Sequence, residues 1–108
     1  MTSGSAALAA DWPQWGGNDP GRNMVSSAKG LPETFEPGKF KQGTEEVDLA
    51  TTKNVKWVAK LGSQSYGNVT VSKGRVYIGT NNDSPRDPAH QGDRSTVYCF
   101  DEQTGELL

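Results

Sequence analysis

The sequence predicts an all-β fold: an antiparallel four-stranded sheet, incomplete at its last strand, preceded by a long irregular segment. Three observations carry this expectation. Arg75-Val76-Tyr77-Ile78-Gly79-Thr80 and Thr96-Val97-Tyr98-Cys99-Phe100-Asp101 are apolar runs of strand length. Val55-Lys56-Trp57-Val58-Ala59-Lys60-Leu61 alternates, with Val55, Trp57, Ala59 and Leu61 on one face and Lys56 and Lys60 on the other. Asp101-Glu102-Gln103-Thr104-Gly105 carries the chemistry of a tight hairpin turn.

Composition sets the limits. The chain has 108 residues, a net charge of −2 and 32% hydrophobic residues, so one domain with a small core is the most it can build. No run approaches the ~18 apolar residues of a membrane-spanning helix. Eleven basic against 13 acidic residues leave no electrostatic footprint for nucleic acid.

Taken in order, residues 1–10 end in Ser5-Ala6-Ala7-Leu8-Ala9-Ala10, which has the small-x-small form of a signal-peptidase site but no charged or long apolar stretch before it. It is expected to be the remnant of an export signal, or a disordered end. The single Cys99 cannot form an internal disulfide and is silent on the redox compartment. Residues 11–54 are rich in Gly, Pro, Asn and Lys and follow neither a period of 2 nor one of 3.6, so they are expected to be a mostly looped lead-in. Trp12 and Trp15 are expected to pin this lead-in on the body of the fold, because disordered tails are depleted in aromatics. The pair Glu45-Glu46 is expected to sit in solvent, since adjacent carboxylates make no acid/base pocket on their own.

Residues 55–61 are expected to form an outer strand and Val69-Thr70-Val71 a short inner one; Ser72-Lys73-Gly74 then turns the chain into the run at 75–80. In the two longest runs apolar side chains fall on both faces, Val76 and Ile78 against Tyr77, and Val97 and Cys99 against Tyr98 and Phe100. This is the pattern of sheets stacked face to face. Asp101 can accept from backbone N–H groups two or three residues on, Thr104 can do so through its hydroxyl, and Gly105 supplies the positive φ that closes the turn. Only Glu106-Leu107-Leu108 remain for a fourth strand.

The connection from Asn81 to Ser95 is longer than a hairpin needs and holds the only His, with three Asp and two Arg. Its acidic residues lack the alternate spacing and terminal Glu of an EF-hand, and His90 has no second His or Cys nearby for zinc. An ordered insertion whose Asp and Arg residues pair locally is the expectation.

The motif Tyr98-Cys99-Phe100-Asp101-x-x-Thr104-Gly105-Glu106 resembles the repeat signature of pyrroloquinoline-quinone-type (PQQ-like) β-propellers. There a small residue, a spacer, Asp, two variable residues and Thr-Gly precede a docking Trp once per blade. Cys99 stands at the small-residue place. Gly74 to Thr80, with Gly74 opening and Gly79 closing the run, resembles the preceding strand, and Trp57 resembles the docking Trp of an outer strand. Asp11-Trp12-Pro13-Gln14-Trp15-Gly16-Gly17 with Gly21-Arg22-Asn23, and Leu31-Pro32 with Asp48-Leu49-Ala50-Thr51-Thr52-Lys53-Asn54, are similar to the opening of an exported bacterial subgroup.

The resemblance implies that 55–108 is a clasp strand plus a first, truncated blade, that 1–108 is the amino-terminal piece of a longer chain, and that the protein is periplasmic or otherwise exported. Trp57, Gly74, Gly79, Cys99, Asp101, Thr104 and Gly105 are then structural residues of the repeat. No catalytic or metal-binding residue can be carried over. In quinoprotein dehydrogenases the quinone and its calcium are held by residues from several blades, so this span is expected to bind neither alone, and its main partner is the rest of its own propeller. Two functions follow: a binding or scaffold propeller without a catalytic site in this span, or the first piece of a PQQ-dependent alcohol or sugar dehydrogenase, in which PQQ, calcium and a small alcohol or sugar belong to the whole protein.

Overall fold

The computed structural model describes residues 10–108, which fold into antiparallel strands with one 3-10 turn among them. The expected signal remnant at 1–10 lies, apart from Ala10, outside the described residues. The fold is all-β, as the sequence predicts.

The lead-in is largely irregular but holds a small ribbon, β1 (Lys39–Phe40) paired with β2 (Val47–Asp48). Each strand has two residues, too few for a period to register. The turn between them is closed by Lys41 N–H donating to Glu46 C=O at 2.8 Å, and Glu46 and Glu45 form exposed ion pairs with Lys41 (2.5 Å) and Lys60 (2.8 Å). The 3-10 turn Leu49–Thr51 follows, capped by the Asp48 side chain accepting from Ala50 N–H.

Two tethers hold the lead-in. Glu36 and Lys53 exchange backbone hydrogen bonds at 3.0 and 3.1 Å, and Trp12 and Val71 do so at 2.8 and 2.9 Å. Trp12 thereby lines the edge of the main sheet, with Asp11 accepting from Lys73 N–H at 2.9 Å. Trp15 departs from expectation. It is 57% exposed and packs on nothing comparable, because Gly16 and Gly17 turn the chain back and it is the Trp12 ring that closes over Gly17.

The main sheet has the order β3 (Thr70–Ser72), β4 (Arg75–Asn81), β5 (Ser95–Asp101). Lys73 (φ 50°) and Gly74 (φ 75°) both take left-handed backbone, the two-residue hairpin turn whose twist suits the flanking strands. In the β4–β5 register Val76 faces Phe100 and Ile78 faces Tyr98, so these four fall on one face and form the buried core. A fourth strand is represented by the bridge between Phe100 and Leu107.

Residues 55–61 correct the expected outer strand. The alternation is present, with Val55, Trp57, Ala59 and Leu61 half-buried and Lys56, Val58 and Lys60 exposed, but the segment pairs with no strand among the described residues. It runs extended across the sheet and lays Trp57, Ala59 and Leu61 on the core. Alternation reports which side chains find a surface; pairing needs a neighbouring backbone, and none lies alongside. The expected stacking on both faces is also only half realised. Residues 55–61 cover the Val76 and Phe100 face, while Val97 on the other is 74% exposed.

Candidate functional site

The turn after β5 brings the predicted repeat residues together. Asp101 Oδ1 accepts from Gln103 N–H and Thr104 N–H, both at 2.9 Å, and from Thr104 Oγ1 at 3.1 Å; Thr104 Oγ1 accepts in turn from Glu106 N–H at 3.2 Å. Gly105 N–H closes the turn on Asp101 C=O at 2.9 Å. Its φ of 74° lies in the left-handed region, and a Cβ there would stand 2.6 to 2.8 Å from ring atoms of Trp57. The indole lies flat over the turn and its Nε1–H donates to Glu102 C=O at 2.9 Å. Glu102 N–H donates to Gly74 C=O at 3.0 Å, tying this turn to the β3–β4 turn.

Trp57, Gly74, Asp101, Thr104 and Gly105 are therefore one structural constellation. Gly79 and Cys99 lie apart from it. A Cβ at Gly79 would meet nothing within 4 Å, so nothing in the described residues requires glycine there. Cys99 is a half-buried free thiol facing Tyr77 across the strands, on the open side of the sheet.

Hydrogen bonds from Thr104 N–H and then Gln103 N–H hold the Asp101 carboxyl below the usual carboxylate range, with Lys56 adding a smaller pull. A carboxyl depressed in the folded state contributes stability that is complete above its unfolded value and is lost as pH falls through its folded value. Thermal stability is thus expected to fall between about pH 5 and pH 2, and to fall less steeply in Asp101→Asn. Asp87 and Glu45, also depressed, by the Ala89 N–H and by Lys60, leave a residual acid dependence. Melting curves across this range check it; an unchanged slope in the variant would place the acid sensitivity elsewhere.

The loop between β4 and β5 is ordered by contacts its local pattern did not announce. Asn82, buried, donates to His90 C=O at 2.6 Å, and Arg86 donates to Lys60 C=O at 2.6 Å while its guanidinium carbon lies 6.0 Å from the centre of the Tyr98 ring. His90 Nδ1 meets Asp87 Oδ2 at 2.9 Å, and Asp83 bonds to Ser63 and Asn81. The expected Asp–Arg pairing is not what holds it: Arg86 takes a carbonyl, and among the described residues Arg94 has no carboxylate within ion-pair distance.

Among the described residues no three His, Cys, Asp or Glu side chains converge to hold a metal ion. Calcium takes six to eight oxygen ligands, so the residues present do not fit the quinone–calcium pair that the repeat resemblance implies for a whole dehydrogenase. No helix among them is long and apolar enough to cross a membrane. Comparison with protein-family models, curated proteins and solved structures found no match in any of the three.

Proposed function

We propose that the chain is a blade-like unit of a PQQ-like β-propeller, exported from the cell and serving as a binding or scaffold module. The observation that carries this is residues 55–61. They form an extended, alternating segment whose peptide groups from Val55 to Ala59 have no hydrogen-bond partner among the described residues, yet which lies face to face on the β3–β5 sheet with Trp57 over Gly105. Backbone groups in an extended segment are normally paired within a sheet. A strand of this form belongs to a second sheet packed on the first, as adjacent blades are.

The amount of surface agrees. The chain exposes 8723 Å², against about 5,800 Å² for a compact monomer of 11.6 kDa. Its radius of gyration is 16.3 Å, where a compact domain of this length has about 13 Å. Open faces and edges of this extent call for neighbouring sheets, and a single repeat unit cannot cover its own apolar surface.

Light scattering and sedimentation of the purified chain are expected to show association or partial unfolding. A monomer with one cooperative thermal transition would overturn the blade reading. Added PQQ and calcium are expected to give no dye reduction with ethanol or glucose; turnover above the protein-free control would replace the scaffold reading with that of a quinone-dependent dehydrogenase.

A further inference from the structure

The two edges of the main sheet are treated differently. Trp12 hydrogen-bonds in both directions to Val71 and occupies the β3 edge. On β5, pairing beyond β4 is confined to one end: Asp101 N–H donates to Glu106 C=O and Leu108 N–H to Cys99 C=O, both at 2.8 Å. Alternate residues of an antiparallel strand present both peptide groups to the same side. The peptide groups of Val97 and Ser95 therefore point along the same outer edge as those of Asp101 and Cys99, and no strand lies against them among the described residues. Between Ser95 and Phe100 this edge carries no charge, proline or bulge, the devices that usually keep an edge from pairing.

A cleft of about 620 Å³ runs beside this stretch, with Tyr98 and Leu107 at one end and Arg86 and Arg94 at the other. Arg94, Thr96 and Tyr98 share one face by alternation. Asp87, the carboxylate in the cleft, is engaged by Ala89 N–H and His90, which leaves two guanidinium groups facing the space.

We infer that the β5 edge at Val97 and Ser95 accepts an extended acidic peptide segment, which adds antiparallel to β5 and places a carboxylate between Arg86 and Arg94. The register is set by Phe100 facing Leu107: Leu108 faces Cys99, and successive residues of the incoming segment face Tyr98, Val97, Thr96 and Ser95. Those facing Tyr98 and Thr96 turn their side chains into the cleft. The first is apolar, against Tyr98 and Leu107, and the third is acidic. Main-chain hydrogen bonds to Val97 and Ser95 provide affinity, and the two cleft positions provide selectivity. This inference stands on the hydrogen bonding of β5 and is independent of the blade reading.

The test is fluorescence anisotropy of the full chain with a labelled peptide amide, Leu-Val-Glu-Thr-Val. N-methylation at the second residue, which pairs with Val97, is expected to weaken binding more than tenfold, whereas N-methylation at the third, whose N–H points away, leaves it within about twofold. Changing the glutamate to glutamine, or Arg94→Gln in the protein, is expected to cost about threefold, as for exposed charge pairs, and less at high salt. Equal affinity of the two N-methyl peptides would overturn the proposal, since the peptide would then be held by side chains elsewhere. So would failure to bind by a dimeric chain with protected Val97 amides, which would put a second copy on this edge.

Discussion

Replacing Phe100 by alanine is expected to abolish the ordered sheet. Phe100, 2% exposed, is the most buried apolar residue of a four-residue core; its ring lies 6.1 Å from that of Trp57 and 5.9 Å, edge to face, from that of Tyr98. Truncating a buried Phe costs about 3–5 kcal/mol, from lost transfer free energy and the cavity left behind. Small domains have as little as ~5 kcal/mol in all, and a core of four side chains lies at that lower bound. The loss is larger than one contact because Phe100 joins the two layers: without it, residues 55–61 have no floor under Trp57. Amide hydrogen exchange of Val76 and Ile78 reads the outcome. Protection within tenfold of the parent would mean that the core extends beyond these four residues.

The second large effect is expected at Gly105. Gly105→Ala incurs the strain of a side chain at a φ of 74° and pushes a methyl group into the Trp57 ring, with atoms at 2.6 to 2.8 Å. Gly43 provides the control, since its φ is also 74° but a Cβ there meets nothing within 4 Å. Gly43→Ala is expected to cost about 1 kcal/mol, the backbone contribution alone. Gly105→Ala is expected to cost about 2–3 kcal/mol, as overpacking adds to strain, and to release the Nε1–H bond to Glu102. In a Trp57→Ala background the excess should vanish, which a double-mutant cycle in urea measures. Equal costs at Gly43 and Gly105 would show that Trp57 does not rest on the turn.

The acidic-peptide proposal and the blade reading place different demands on the same sheet. One asks what β5 accepts along its edge; the other asks what lies on its faces. The face of Trp57 is covered from within the chain, whereas Tyr77, Val97 and Cys99 face outward with no layer over them among the described residues.

The elements legible in the amino-acid order are those specified by near neighbours. Lys73 and Gly74 form a tight turn from their own backbone preferences, so the β3–β4 hairpin follows, and with it the registry that sets Val76 opposite Val71. Asp101, Thr104 and Gly105 close their turn with bonds that span no more than three or four residues along the chain, so the spacing alone describes the geometry. Bonds between distant residues left no such trace. The Trp57 indole reaches Glu102 across 45 positions, Asn82 is buried to serve carbonyls of its own loop, and Trp12 rather than Trp15 docks, because Val71 offers an unpaired edge to only one of them. Periodicity assigned 55–61 its two faces but not its partner, since a strand's alternation depends on the surface beneath it and its pairing on a backbone beside it. The order of residues thus determined the turns, the hairpin and the inward-facing side chains; only the folded chain decided which edge is occupied, which face is covered and where two arginines stand beside an open strand.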